Sequence, residues 1–223
     1  MRRPSIEEHA RVSAAVLTAE AGTSGEIVTI VADRSDAYHD VGVHHAVLAM
    51  MFVPVLFAAW PALPLHLVAV VTGGWGEAEV RDLMLLAFAA IALVFLIVRY
   101  GLAYMPLRLA LTPKATRRRR VRRRAIELFR VGAEGRTTGR TGILIYLSLG
   151  EHMAEIVADQ AIHAKVDDSV WGDAMAAMID QVREGRVADG LIATVERVGV
   201  VLAAHLPRDS SDRNELPDRL IEI

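Results

Sequence analysis

The sequence predicts an α+β fold in which a sheet packed with helices is interrupted by a two-helix transmembrane insertion. Three observations carry that reading. No charged residue occurs between Asp40 and Glu77, 36 consecutive positions, and Leu83–Val98 is a second stretch without a polar side chain. Two strand-like runs rich in β-branched residues, Gly25–Asp33 and Thr141–Leu149, lie on opposite sides of these apolar stretches. Amphipathic helical patterns precede the first run and follow the second.

Composition is compatible with that class and excludes others. The 223 residues are 53% hydrophobic and 23% charged, which is not the signature of a disordered or fibrous chain. The chain contains no cysteine, so disulfide frameworks, thiolate metal sites and cysteine nucleophiles are excluded.

The first element is a helix. Ser5 and Glu8 form a capping-box pattern, and Ile6, Ala10, Val12, Ser13, Val16 and Leu17 then trace one face. Gly22 stops it. Arg2 and Arg3 lead into this helix rather than into an apolar stretch, so the segment does not read as a signal peptide. Gly25–Asp33 is too apolar for a strand with one wet face, and a lone strand is unstable in water. Its partners must therefore lie beyond the insertion.

A spanning helix needs roughly 20 predominantly apolar residues. Ala46–Val71 meets that, broken only by Pro54, Pro61, Pro64 and His66. Leu83–Val98 meets it if Arg99 snorkels and Tyr100 sits at the headgroups. The expected membrane segments are near 43–71 and 82–100. Charge sets their orientation. Residues 1–45 are net −3, residues 46–124 net +8 and residues 125–223 net −7, and the positive block is mainly Lys114, Arg117–Arg120 and Arg122–Arg124. Basic residues flanking spans stay in the cytoplasm, so the Thr72–Asp82 loop faces outward and both termini face inward. The expected location is the bacterial plasma (inner) membrane, as a multi-pass protein. Arg117–Arg124 has no interleaved aromatic residues, so its expected partner is anionic lipid headgroups, not nucleic acid.

Thr141–Leu149, a tight turn at Gly150-Glu151, and His152–Ala158 form a β-hairpin pattern. Two helices follow. Asp167 or Asp168 caps the first, which carries Trp171, Ala174, Met178 and Val182 on one face and ends at Gly185. The second runs from near Val187 to before Pro207. The expected organisation is 1–42, the N-terminal helix and strand of a cytoplasmic domain; 43–100, the transmembrane hairpin; and 101–124, a basic juxtamembrane segment. Residues 125–206 complete the domain, and 207–223 form a flexible tail.

The stretches T-S-G-E-I-V-T-I-V-A-D at 23–33, R-T-G-I-L-I-Y-L-S-L at 140–149, a strand ending A-D at 158–159 and W-G-D-A-M-A-A-M-I-D-Q-V-R-E-G-R-V-A-D-G-L at 171–191 resemble the TPM-domain family. They resemble in particular its bacterial predicted-membrane-protein branch, in which a membrane hairpin splits the domain. That resemblance implies a TPM-like sheet. Relatives in chloroplasts are linked to photosystem II repair and described as phosphatases, some relatives bind divalent cations, and an animal relative is a receptor accessory protein. Relatives carry a G-Y-G-type turn after the third strand. Here that stretch reads Ala158-Asp159-Gln160-Ala161-Ile162, without the glycines that free a backbone to approach a ligand.

No P-loop, nucleophile elbow, HExxH or dinucleotide fingerprint is present, and no catalytic residue is identifiable from spacing. Gly73-Gly74-Trp75-Gly76 lacks a preceding strand and a lysine. His44 and His45 are adjacent and diverge on a helix. Carboxylates at strand ends and helix starts remain. Asp33, Asp159 and Asp167 are the candidate ligands for Ca²⁺ or Mg²⁺ if the domain holds a cation, although no cofactor is expected. The expected role is a non-enzymatic partner-binding or scaffolding one at the membrane, with another membrane protein as a candidate partner beside the lipid. The alternative is a weak divalent-cation-dependent phosphatase built on the Asp cluster.

Overall fold

The computed structural model describes residues 2–74, 78–132, 141–208, 215–216 and 218–223. Trp75 and Gly76 of the glycine-rich loop, Arg140 and the side chain of Asp168 lie outside the described residues. The chain divides into two units, residues 1–36 with 114–223, and residues 37–113.

In the first unit, α1 (Ile6–Glu20) starts on the expected capping box, with Ser5 and Glu8 satisfying each other's backbone amides. β1 (Glu26–Ala32) pairs parallel with β2 (Gly142–Ser148), from Glu26 opposite Gly142 to Ala32 opposite Ser148. The apolar stretch therefore interrupts one sheet in sequence but not in space. β2 turns through residues 149–152 into β3 (Met153–Ala158), which pairs with it antiparallel. The sheet order is β3-β2-β1-β4, and β4 (Ile221–Glu222) runs parallel to β1.

Helices cover both faces of this mixed sheet. On one face, α1, α8 (Trp171–Arg183) and α9 (Val187–His205) enclose Ile27, Val31, Ile143, Ile145 and Leu147. On the other, α6 (Lys114–Gly132) buries Val121, Ala125 and Phe129 against Val28, Ile30, Leu144 and Tyr146. Burial on both sides explains why β1 and β2 read as continuous apolar runs rather than alternating ones. α1 lies so close to α9 that a Cβ at Gly199 would stand 2.7 Å from that of Ala19. Gly185, at φ +81°, ends α8 as expected.

Two expectations need correction. The tail is not simply flexible. Leu216 and Leu220 are buried and Ile221 reaches the ladder, because β1 would otherwise be an open edge beside apolar surface. Asp167 does not cap α8, whose N-cap position is Val170; it accepts the Ser169 amide at 2.8 Å and caps a short 3-10 turn over residues 168–170.

The second unit is helical. α2 (His39–Ala59) and α4 (Val80–Gly101) pack together, and both are long and apolar enough to cross a membrane. α3 (Ala62–Val71) is separated from α2 at Trp60-Pro61, so the first apolar stretch forms two helices. A residue before proline is driven out of the helical region, which places the break. α4 buries none of its residues, and Leu85, Phe88, Leu93 and Ile97 all stand exposed. That is costly in water and favourable in hydrocarbon. α5 (Met105–Leu111) carries Arg108, 3% exposed, which donates to the carbonyls of Leu102 at 2.7 Å and Ala37 at 2.6 Å.

Candidate functional site

β1 delivers Asp33 to one end of the sheet. Its carboxylate takes two hydrogen bonds from Arg3, one at 2.7 Å, and this guanidinium holds it below the usual carboxylate range. Beside it, the Ser35 amide donates to both oxygens of Glu151, at 3.0 and 3.2 Å. The buried Ser148 hydroxyl also donates to Glu151, and Ser35 Oγ lies 2.9 Å from the Tyr146 hydroxyl. Burial pushes the Tyr146 phenol up, so it is neutral at physiological pH. Ser148 and Glu151 are both buried, and the bonds that join Glu151 to Ser148 and to the Ser35 amide latch the end of β1 to the β2–β3 turn.

The other predicted acids sit elsewhere. Asp159 occupies the N-cap position of α7 (Gln160–His163), but its side chain makes no capping bond. Its Oδ2 accepts the Gly142 amide at 3.1 Å and its own amide donates to the Gly142 carbonyl at 2.9 Å, locking the end of β3 to the start of β2. Where relatives carry glycines, this chain makes a helical turn that buries Ile162. Asp167 is exposed and held below its ordinary range by Ser169. The structure thus gives Asp33, Asp159 and Asp167 three separate local partners and does not gather them into one cluster.

Among the described residues, the carboxylates that do converge are Glu20, Glu26 and Asp218. Sequence reasoning missed this group because Asp218 arrives with a tail expected to be loose. Burial, opposed by the Ile27 amide and helped by the neighbouring acids, pushes the Glu20 carboxyl up to about 8. Ile27 donates to Glu20 at 2.6 Å, while the Leu216 amide donates to Glu26 at 3.3 Å. A carboxyl that keeps its proton at neutral pH suits a proton-sharing clasp on the tail.

α6 places basic groups on both sides of itself. Arg120 and Arg123 reach Asp36 at 3.1 and 3.2 Å, and Arg123 and Arg124 flank Glu127. Arg119 and Arg123 lie opposite the apolar stripe that meets the sheet, and Arg118 and Arg122, also exposed, flank that stripe beside β3. The stripe was legible at Val121, Ala125 and Phe129; the anchoring role of Asp36 was not.

A family model for the TPM domain matches residues 105–201. The match takes in β2, β3 and the helices around them but omits α1 and β1, which complete the same sheet. No curated protein matches the chain. Among solved structures, the chain is similar to the NMR structure of BA42 protein from the psychrophilic bacterium Bizionia argentinensis, with a TM-score of 0.57 and 18% identity. The alignment covers 100% of this chain and 97% of that one, and at that identity the likeness concerns the fold alone. Residues 105–201 are thus similar to the TPM domain, and the sheet they contribute to takes its β1 strand from the other side of an apolar helical stretch.

Proposed function

We propose that the chain is a multi-pass protein of the bacterial inner membrane whose TPM domain faces the cytoplasm and works by binding, not by catalysis. The observation that carries this reading is the occupancy of its polar groups. Each of the predicted acids serves a backbone amide, a hydroxyl or an arginine, whereas α6 keeps Arg118, Arg119, Arg122 and Arg123 exposed, of which Arg118 and Arg123 also meet acidic side chains of the domain. Basic residues at a membrane surface contribute about 1 kcal/mol each toward anionic lipid. Two helices with exposed apolar faces supply the anchor, and the excess of arginine after α4 supports cytoplasmic termini.

Because the chain lacks cysteine, single-cysteine variants report topology cleanly. A cysteine at Thr72 should label from outside intact cells and one at Arg208 only after permeabilisation; the reverse would overturn the orientation. The purified protein should show no cation-dependent phosphatase activity, with Ca²⁺ or Mg²⁺ added. Turnover that survives purification and is lost in Asp159→Ala would replace the binding reading with the phosphatase one.

A further inference from the structure

Among the described residues, β3 is an edge strand that pairs on one side only, with β2. In an antiparallel ladder, residues alternate between those bonded to the partner strand and those whose amide and carbonyl point away. The bond from the Asp159 amide to the Gly142 carbonyl fixes that alternation, so Val157, Glu155 and Met153 bond to β2. The backbone groups of Ala154, Ile156 and Ala158 therefore point outward, and they meet no partner among the described residues.

A groove of about 710 Å³ runs along this edge. One wall is α6, with Arg118, Arg122 and Ile126; the other is α8, with Trp171, Met175 and Ile179. Two features distinguish it from an edge merely guarded by charge. Its walls keep apolar side chains open to solvent, Ile179 being 41% exposed. The indole Nε1–H of Trp171, a residue 7% exposed, is buried without an acceptor, an uncommon state for a native donor. Charge selects the occupant. Glu155 is the single carboxylate in the lining and feels both Arg122 and Arg118, the latter 3.9 Å away, so two cations face one anion and the lining keeps a positive excess.

We propose that the open edge of β3, between α6 and α8, docks an extended acidic peptide segment of a partner protein, which adds a fifth strand to the sheet. The outward groups of Ala154, Ile156 and Ala158 supply main-chain hydrogen bonds, as in other strand-addition complexes. Alternate side chains of the peptide face the two walls, acidic ones toward Arg118 and Arg122, apolar ones toward Met175 and Ile179. A second copy of this chain is disfavoured, because β3 paired with β3 would bring two sets of these arginines together. This inference rests on the binding reading and gives it a partner class.

The test uses the full chain in detergent and an array of octapeptides with Glu at alternate positions and Val, Ile, Leu or Phe between them. Controls replace Glu by Lys, or place Pro at the centre. At least one Glu series should bind saturably below ~1 mM and at least about tenfold more tightly than its Lys and Pro controls. Arg122→Glu should weaken that binding at least about tenfold. Ile156→Pro should do the same without unfolding the sheet, since the amide it removes faces outward. Absence of binding, equal binding of Glu and Lys series, or indifference to both substitutions overturns the proposal. Dimerisation of the chain that Ile156→Pro abolishes also overturns it, in favour of self-pairing. Cation-dependent phosphatase activity would sink the binding reading itself, a result the array does not mimic.

Discussion

The amide of Gly150 donates to the carbonyl oxygen of Asp33 at 2.8 Å, and a Cβ at Gly150 would lie 2.8 Å from that same oxygen. The end of β1 and the β2–β3 turn, separated in sequence by the whole apolar stretch, meet with no room for a methyl group. Gly150→Ala should therefore destabilise the domain by about 1–3 kcal/mol, the usual cost of forcing extra atoms into packed structure. Thermal unfolding of the detergent-solubilised protein measures it. An unchanged melting temperature would mean that the turn can retreat from β1.

Asp159 makes a complementary contact at the other end of β2. Removing its carboxylate leaves the buried Gly142 amide without this acceptor, which costs about 1–3 kcal/mol. Asp159→Ala should show that loss in a melt, and Asp159→Asn should recover part of it, since a carboxamide oxygen also accepts. Neither variant should change sensitivity to added Ca²⁺ or Mg²⁺. Cation-dependent stabilisation confined to the wild type would make Asp159 a ligand.

What the sequence disclosed follows from how its signals arise. β1, β2 and β3 were legible because strands buried on both faces are apolar without interruption, and α1, α8 and α9 because their apolar residues recur at helical spacing. β4 was not, since two residues carry no periodicity and Leu216 and Leu220 look like isolated apolar residues in a polar tail. The candidate acids were recognisable as strand-end residues, but their partners were not. Arg3 beside Asp33 and the Gly142 amide beside Asp159 are tertiary contacts with no local spacing to announce them. The same holds for Glu20, Glu26 and Asp218, which only the returning tail brings together.

Deleting residues 215–223 tests that tail directly. The deletion removes Leu216 and Leu220, each worth about 1.5–3 kcal/mol when fully buried. It also opens the edge of β1, since the Ile223 amide bonds to the Val31 carbonyl at 3.0 Å and the Asp33 amide to the Ile223 carbonyl at 3.1 Å. The truncated chain should lose more than about 3 kcal/mol and expose β1 to hydrogen exchange. Protection of the β1 amides equal to that of the intact chain would show that β4 contributes little.

Arg108 is a buried cation whose contacts include two carbonyl oxygens and, at 3.4 Å, Nδ1 of His39. The Leu102 carbonyl lies at the end of α4 and the Ala37 carbonyl just before α2, so one guanidinium joins the two ends of the helical unit. Arg108→Met keeps the volume but leaves both carbonyls unanswered, at a cost of about 1–3 kcal/mol for each buried group. Arg108→Lys should fall between the two, because an ammonium cannot reproduce the planar fork. Melting in detergent ranks the three proteins, and a Met variant as stable as the parent would remove Arg108 from this role.

The carboxyl clasp makes stability depend on pH with a definite sign. In the folded chain Glu20 is pushed up to about 8, against an ordinary value of 4.5, so between these limits the native state holds a proton that the unfolded state has lost. Stability then falls as pH rises. The contribution is fully present below pH 4.5 and is lost as pH passes through about 8. Glu20→Gln keeps an oxygen for the Ile27 amide and removes the titration. Raising the pH from 5 to 8.5 should lower the melting temperature of the parent by several degrees more than that of Glu20→Gln. Parallel pH profiles for the two proteins would show that Glu20 is ionised in the folded chain.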